Sequence, residues 1–159
     1  MIHNKIIDYT PHSLNQLGKN KKTVLVGGCF DVLHIGHVTF LEKAKAAGDI
    51  LIVALEPDEY IVNVKKKKPI HSQEMRGYIL SHLDLVDYVI MLPLFKTSRE
   101  YQEMVELIRP KVIALTKGDP YLLNKKSQAK QINAHLVEID QVKTFSSSMI
   151  AQYETISRN

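Results

Sequence analysis

Apolar residues fall in short unbroken blocks along this chain, and between the blocks lie segments whose apolar positions recur three and four residues apart. The blocks are "TVLVGG" (23–28), "ILIVAL" (50–55), "DYVIML" (87–92), "KVIALT" (111–116) and "AHLVEI" (134–139). Blocks this short, apolar at consecutive rather than alternate positions, predict strands covered on both faces. In "HVTFLEKAKAAGD" (37–49), Val38, Leu41, Ala44 and Ala47 share one helical face, and Gly48 stands where a C-cap belongs. "SQEMRGYILSHL" (72–83) predicts a helix whose N-cap is Ser72. Thr97 and Glu100 have capping-box spacing ahead of a helix at 101–108, and Pro110 follows it. A weak polar helix is expected at 124–132, and a last one over 146–157, entered through serines.

Strands alternating with helices require right-handed crossovers, so the fold class is α/β: a doubly wound, parallel, five-stranded sheet with helices on both faces. We find no internal repeat and no Gly/Ser-rich linker, and 159 residues suit one domain. Residues 1–20 read as an N-terminal extension with at most one helical turn near Ser13–Leu17, and 21–159 as the core.

Composition narrows the partners. Hydrophobic residues make up 45% of the chain and charged residues 24%, as in soluble globular proteins. The net charge of +4 suits a phosphate-rich ligand and does not call for nucleic acid. Cys29 is the only cysteine, which excludes an internal disulfide and fits a reducing cytoplasm. The N-terminus lacks the apolar core of a signal peptide, and no run approaches the ~20 apolar residues of a membrane helix. A cytoplasmic chain with neither membrane nor nucleic-acid partner is expected.

The chemistry concentrates after the first strand, in "GGCFDVLHIGH" (27–37). In a doubly wound sheet, ligands sit beyond the carboxyl ends of the strands, near the switch point. Gly27 and Gly28 let the backbone approach phosphate oxygens, and the helix that begins near Gly36 and His37 aims its positive end at the same place. His34 and His37, three apart, project together from that entrance and could donate to a phosphate as negative charge builds on it. Isolated histidines on a loop are more simply caps or metal ligands; the coincidence of two with three glycines at a strand-to-helix turn favours the chemical reading.

On these residues the chain resembles the cytidylyltransferase-like nucleotidyltransferases, whose pattern is G-x-F-D-x-x-H-x-G-H. Within that family it is most similar to the adenylyltransferase domain of ADP-heptose synthesis enzymes, and also to glycerol-3-phosphate cytidylyltransferase and archaeal FAD synthetase. The similarity runs from about Lys5 to Ile150. It implies a Rossmann-like fold, a homodimer, and a Mg²⁺-dependent reaction in which a substrate phosphate attacks the α-phosphorus of an NTP. His34 and His37 would be catalytic, with Gly28, Cys29, Phe30, Asp31 and Gly36 on the nucleotide.

Three further segments match with departures. The run Lys65–Lys68 precedes "HSQEMR"; a lysine run by default is a solvated or nucleic-acid-binding loop. The resemblance assigns Lys67 a catalytic role and Lys65 the substrate phosphate. Arg76 is either a surface ion-pair partner or a structural or phosphate contact. In "LTKGDPY" (115–121), Lys117, Gly118 and Asp119 match a nucleotide-binding K-G-G-D-Y segment, with Pro120 inserted, although a turn explains Gly-Asp-Pro without function. In "TFSSSMI" (144–150), Ser146, Ser147 and Ser148 match S-T-T-x-I and would hold phosphate at the last helix. Two arginines of the cytidylyltransferases fall on Asp84 and Gln141, and Lys143 could replace the second charge.

These readings converge on transfer of a nucleoside monophosphate from NTP, ATP foremost, to a phosphorylated small molecule such as a heptose 1-phosphate. The alternatives are a CTP:glycerol-3-phosphate cytidylyltransferase, an FAD synthetase-like adenylyltransferase, and a non-catalytic nucleotide-binding regulatory module.

Overall fold

The structure is a computed structural model that describes residues 5–142. Six strands form one sheet: β1 (Ile6–Asp8), β2 (Thr23–Gly28), β3 (Ile50–Leu55), β4 (Tyr88–Met91), β5 (Val112–Thr116) and β6 (His135–Ile139). Their spatial order is β1-β4-β3-β2-β5-β6, and every pair is parallel. The chain steps from β2 outward through β3 to β4, then returns to lay β5 on the other side of β2. The switch point therefore lies between β2 and β5, above Gly27 and Gly28.

The unbroken apolar blocks are explained by the strand period of two. Val24, Val26, Leu51, Val53, Leu55 and Val89 turn to one face, where Leu41 and Ala44 of α2 (Ile35–Lys45) and Leu80 of α4 (Gln73–Ser81) cover them. Leu25, Ile52, Ala54, Ile90 and Ile113 turn to the other. There they meet Leu14 of α1 (Pro11–Leu14), Met104, Val105 and Ile108 of α5 (Ser98–Ile108), and Ala129 of α6 (Leu122–Gln131). No helix among the described residues is long and apolar enough to cross a membrane.

The caps stand where their spacing put them. Ser72 accepts from the Met75 N–H, and Thr97 and Glu100 form a reciprocal capping box at α5. Asp87 of the Val86-Asp87 pair locks the amino edge of the sheet: its Oδ2 accepts from the Leu51 N–H at 2.7 Å and from Lys45 Nζ at 2.5 Å.

Two expectations are corrected, the strand count and the bounds of α2 with its C-cap, and one helix had no sequence expectation. The sheet has six strands rather than five, because residues 6–8 of the N-terminal extension pair with β4 as an edge strand. Three residues carry too little pattern to announce a strand; the open edge of β4 recruits them. A short helix α3 (Asp58–Asn63) follows Pro57, with Asp58 and Glu59 in its first turn as start signals, but six residues are too few for a helical period. Helix α2 starts at Ile35 and ends at Lys45, with Ala46 rather than Gly48 as its C-cap. Gly48 serves packing instead, since a Cβ there would lie 2.5 Å from the Lys22 carbonyl and 2.7 Å from Val24.

Gly48→Ala therefore should destabilise the protein by about 1–3 kcal/mol, the usual cost of overpacking. An exchangeable helix-end glycine would give no loss in urea unfolding.

Candidate active site

The loop from β2 to α2 carries the two histidines, and its geometry defines their hydrogen-bonding roles. His34 is the N-cap of α2, in extended backbone, and its Nδ1 accepts the Gly36 N–H at 3.1 Å. Nδ1 being an acceptor, the proton of the neutral ring sits on Nε2, which is left to donate outward. The capping and catalytic readings of His34 are therefore compatible: the cap sets the tautomer. His37 lies in the first turn with its ring stacked on that of His34, centroids 3.9 Å apart and planes 28° apart. Burial, then the neighbouring His34 and Lys65, push the His37 pKa down to about 4. Burial also lowers that of His34. At neutral pH the pair is uncharged.

The amides of this turn are already engaged. His37 and Val38 both donate to the His34 carbonyl, and Gly36 donates to its ring. The imidazole edges, rather than these N–H groups, face an incoming anion. Beneath them the loop is tightly packed. Phe30 is buried and has a positive φ of 48°, Val32 has one of 55°, and a Cβ on Gly28 would come within 2.9 Å of the Phe30 ring. Non-glycine residues in this conformation persist only where surrounding structure imposes it. A Cβ on Gly27 would meet only the Ala54 carbonyl, at 3.8 Å. Glycine there leaves the strand end bare to a ligand.

Three polar side chains hold the loop against its neighbours. Asp31 accepts from the backbone N–H groups of Ile70 (2.9 Å) and His71 (3.0 Å), tying the lysine-bearing loop to the histidine loop. Gln73 donates to the carbonyls of Leu55 (3.0 Å), the last residue of β3, and Leu92 (2.8 Å), just past β4, and so fixes the start of α4 to those strand ends. Of the surface-pair, structural and phosphate readings of Arg76, the structural one describes what is seen. Its side chain is 0% exposed and donates to the carbonyls of Cys29 and His71 and to Asp58 Oδ1. Its place one turn into α4 points it under the sheet's carboxyl edge, where all three partners converge.

Two cavities open at this edge. The larger, about 750 Å³, is lined by His34, His37, Asp31, Lys65, Lys67 and Gln141, among others. A second, of about 410 Å³, lies on the α5–α6 side, and the two share Gly27, Gly28, Cys29, Lys65, Asp119 and Lys125. Gly36 and Phe30 also line the larger one. Lys117 and Gly118 line neither: Lys117 pairs with Asp140 at 3.3 Å on the surface, and Gly118, at φ 83°, makes the turn. Of that triplet, Asp119 alone reaches the cavities, held by Lys125 at 2.7 Å and by the Tyr121 N–H. Asp84 precedes β4, at the amino edge of the parallel sheet, opposite to the histidines. Ser146, Ser147, Ser148 and Lys143 lie outside the described residues.

Sequence reasoning missed Glu56 and Tyr101. Glu56 follows β3 directly and is 8% exposed; Tyr101 Oη donates to its Oε1 at 2.9 Å, while its buried Oε2 has no partner among the described residues. Burial pushes its pKa up to about 6 against the pull of Tyr101 and nearby Lys125, Lys65 and Arg76. A carboxylate immediately past a fully buried strand was the available signal.

A doubly wound parallel sheet with paired neutral imidazoles and a lysine-rimmed cavity at its switch point defines an α/β protein suited to a phosphorylated ligand. A family model described as Cytidylyltransferase-like matches residues 25–156. The chain belongs to that family and is by class a nucleotidyltransferase. It is 44% identical over 109 residues to the "Bifunctional protein HldE" of Aliarcobacter butzleri, covering 68% of this chain and 21% of that protein. It is 39% identical over 142 residues to the protein of the same name from Helicobacter hepaticus, covering 89% of this chain and 28% of the other. The matched part is thus about a fifth to a quarter of those relatives. Among solved structures, a lipopolysaccharide core biosynthesis protein from Thermoplasma volcanium superposes with a TM-score of 0.64 at 24% identity, covering 79% of this chain and 100% of that one. A pantoate-β-alanine ligase from Francisella tularensis gives 0.63 at 16%, covering 97% and 78%. These two share the fold.

Two outcomes follow. Between pH 6.5 and about 4 the unfolded chain binds a proton at position 37 that the native chain refuses, so His37 lowers native stability as pH falls through that window. Urea unfolding from pH 7 to 4.5 should show a shallower decline for His37→Gln than for the wild type. Arg76→Met should cost about 2–4 kcal/mol, because it strips donors from two carbonyls and a polar group left without its partner costs about 1–3 kcal/mol.

Proposed function

We propose that this protein transfers a nucleoside monophosphate, AMP from ATP, to the phosphate of a phosphorylated sugar such as a heptose 1-phosphate. The observation that carries this reading is the stacked neutral pair His34–His37, which lines the cavity that Lys65 and Lys67 also line, with His34 Nδ1 engaged by the Gly36 N–H and its Nε2 left as the donor. Likeness to the HldE proteins supports a sugar phosphate as acceptor.

In the proposed reaction an acceptor phosphate oxygen attacks the α-phosphorus. A new P–O bond forms, the bond from the α-phosphorus to the bridging oxygen breaks, and pyrophosphate leaves with that electron pair. No covalent enzyme intermediate is needed, so Cys29 acts as a small residue of the loop; burial also raises its thiol pKa, keeping it protonated. The imidazoles donate to the α-phosphate as charge builds on it, and the lysines offset the charge of the triphosphate and the acceptor. No group of three or more metal-ligating side chains occurs among the described residues. Magnesium, in this proposal, would arrive with the triphosphate and keep mostly phosphate and water ligands.

CTP is the second reading, favoured by the family's own cytidylyl description. A pyrophosphate-release matrix of ATP, CTP, GTP and UTP against heptose 1-phosphate, glycerol 3-phosphate and FMN decides between them. ATP with heptose 1-phosphate should turn over fastest; exclusive turnover of CTP with glycerol 3-phosphate would overturn the assignment. In the productive pair, His37→Ala should lower kcat by about 10²–10³, as loss of one transition-state donor does. Unchanged turnover there would remove the histidines from the mechanism.

A further inference from the structure

The transferase reading needs two phosphorylated ligands to meet at one point. The larger cavity holds both imidazoles, whereas the smaller holds neither and joins it at Gly27, Gly28, Cys29 and Lys65. The smaller cavity is walled largely by apolar side chains, among them Leu25, Ala54, Phe95 and Met104. Two carboxylates line it: Asp119 is paired with Lys125, whereas Glu56, at 8% exposure, is set into the apolar wall.

Glu56 is anchored at two points, its backbone and one carboxylate oxygen. Its own backbone N–H donates to the Gly28 carbonyl at 3.0 Å, anchoring it to the strand end beside the histidine loop. Its Oε1 takes the Tyr101 hydroxyl at 2.9 Å, and the Tyr101 ring is braced edge-on by Phe95, with centroids 4.8 Å apart. Oε2 is buried and has no hydrogen bond among the described residues. A buried carboxylate oxygen with no partner is disfavoured unless a donor arrives, and sites built this way discriminate strongly between ligands that bring the donor and ligands that lack it.

We infer that Glu56 is a specificity-determining residue: the smaller cavity seats the carbon skeleton of the acceptor, and Glu56 Oε2 accepts a hydrogen bond from one of its hydroxyl groups. The inference rests on the transferase reading above and deepens it. Lys65, Lys125 and Arg76 all act on Glu56 to favour its carboxylate form, the stronger acceptor for a hydroxyl donor. Lys65, common to both cavities, stands where the acceptor phosphate would meet the nucleotide.

The test uses the full chain with Glu56→Gln and Glu56→Met. Glutamine keeps an oxygen for the Tyr101 hydroxyl and reports on folding; methionine fills the volume and removes both acceptors. Pyrophosphate release is measured against heptose 1-phosphate at saturating ATP, and against ATP at saturating heptose 1-phosphate. The KM for heptose 1-phosphate should rise about tenfold or more in Glu56→Met and by less in Glu56→Gln, because a bond to a charged acceptor is about twice as strong as a neutral one. The KM for ATP should stay within about twofold in both, a split that general damage to the fold would not produce. An unchanged KM for heptose 1-phosphate in a folded Glu56→Gln and Glu56→Met pair would overturn this inference alone. So would a rise confined to ATP, which would place Glu56 on the nucleotide. If the wild type neither releases pyrophosphate with any sugar phosphate nor binds heptose 1-phosphate by calorimetry, the transferase reading fails and this inference with it.

Discussion

The site depends on one buried cation. The guanidinium of Arg76 lies wholly inside the protein and joins three segments that are distant in sequence: the histidine loop through Cys29, the lysine-bearing loop through His71, and α3 through Asp58. A buried charge is tolerated only when its donors are satisfied, and each donor here finds an oxygen at the carboxyl edge of the sheet. That requirement makes the arrangement specific, since any shift of one loop would leave the cation short of a partner. Asp31 and Gln73 repeat the device on a smaller scale, each spending one side chain on two backbone groups of neighbouring segments. Loops that leave parallel strands are otherwise free to diverge. Here the two that carry histidine and lysine are held face to face.

The electrostatics divide labour between residue types. Two imidazolium rings 3.9 Å apart would repel by about 4 kcal/mol at an effective dielectric near 20. Burial, then the neighbouring His34 and Lys65, lower the His37 pKa from 6.5 to about 4, which at roughly 1.4 kcal/mol per pKa unit is of the same order. The pair is therefore held neutral and offers directed N–H donors. Net positive charge comes from the lysines, which are exposed and keep their hydration until a ligand displaces it. On the other side of Gly27 and Gly28 the lining is largely apolar, and Glu56 sits in it with a pKa raised by burial.

Much of the frame was legible because it obeys local rules. Ser72, Thr97 and Glu100 act as caps through bonds spanning three residues, which the sequence spells out directly. The five apolar blocks are strands, since nothing else buries consecutive apolar residues on two faces. The elements that escaped are those made by their surroundings. Residues 6–8 become a strand because β4 has an open edge, and Gly48 is required by the backbone of Lys22, 26 positions earlier. The lysine-glycine-aspartate triplet reads as one motif, yet Lys117 turns to Asp140 while Asp119 turns inward.

By itself the sequence determined the fold class, the place of the histidine loop at the end of a buried strand, and the pairing of His34 with His37. Each follows from spacing along the chain, which fixes local geometry whatever else is present. Only the tertiary structure decided that Arg76 lies beneath the site rather than in it, that His37 is neutral, and that Glu56 faces a second cavity with one oxygen unmatched. Those properties come from burial and from partners between 3 and 47 positions away, and desolvation has no signature in a string of residues.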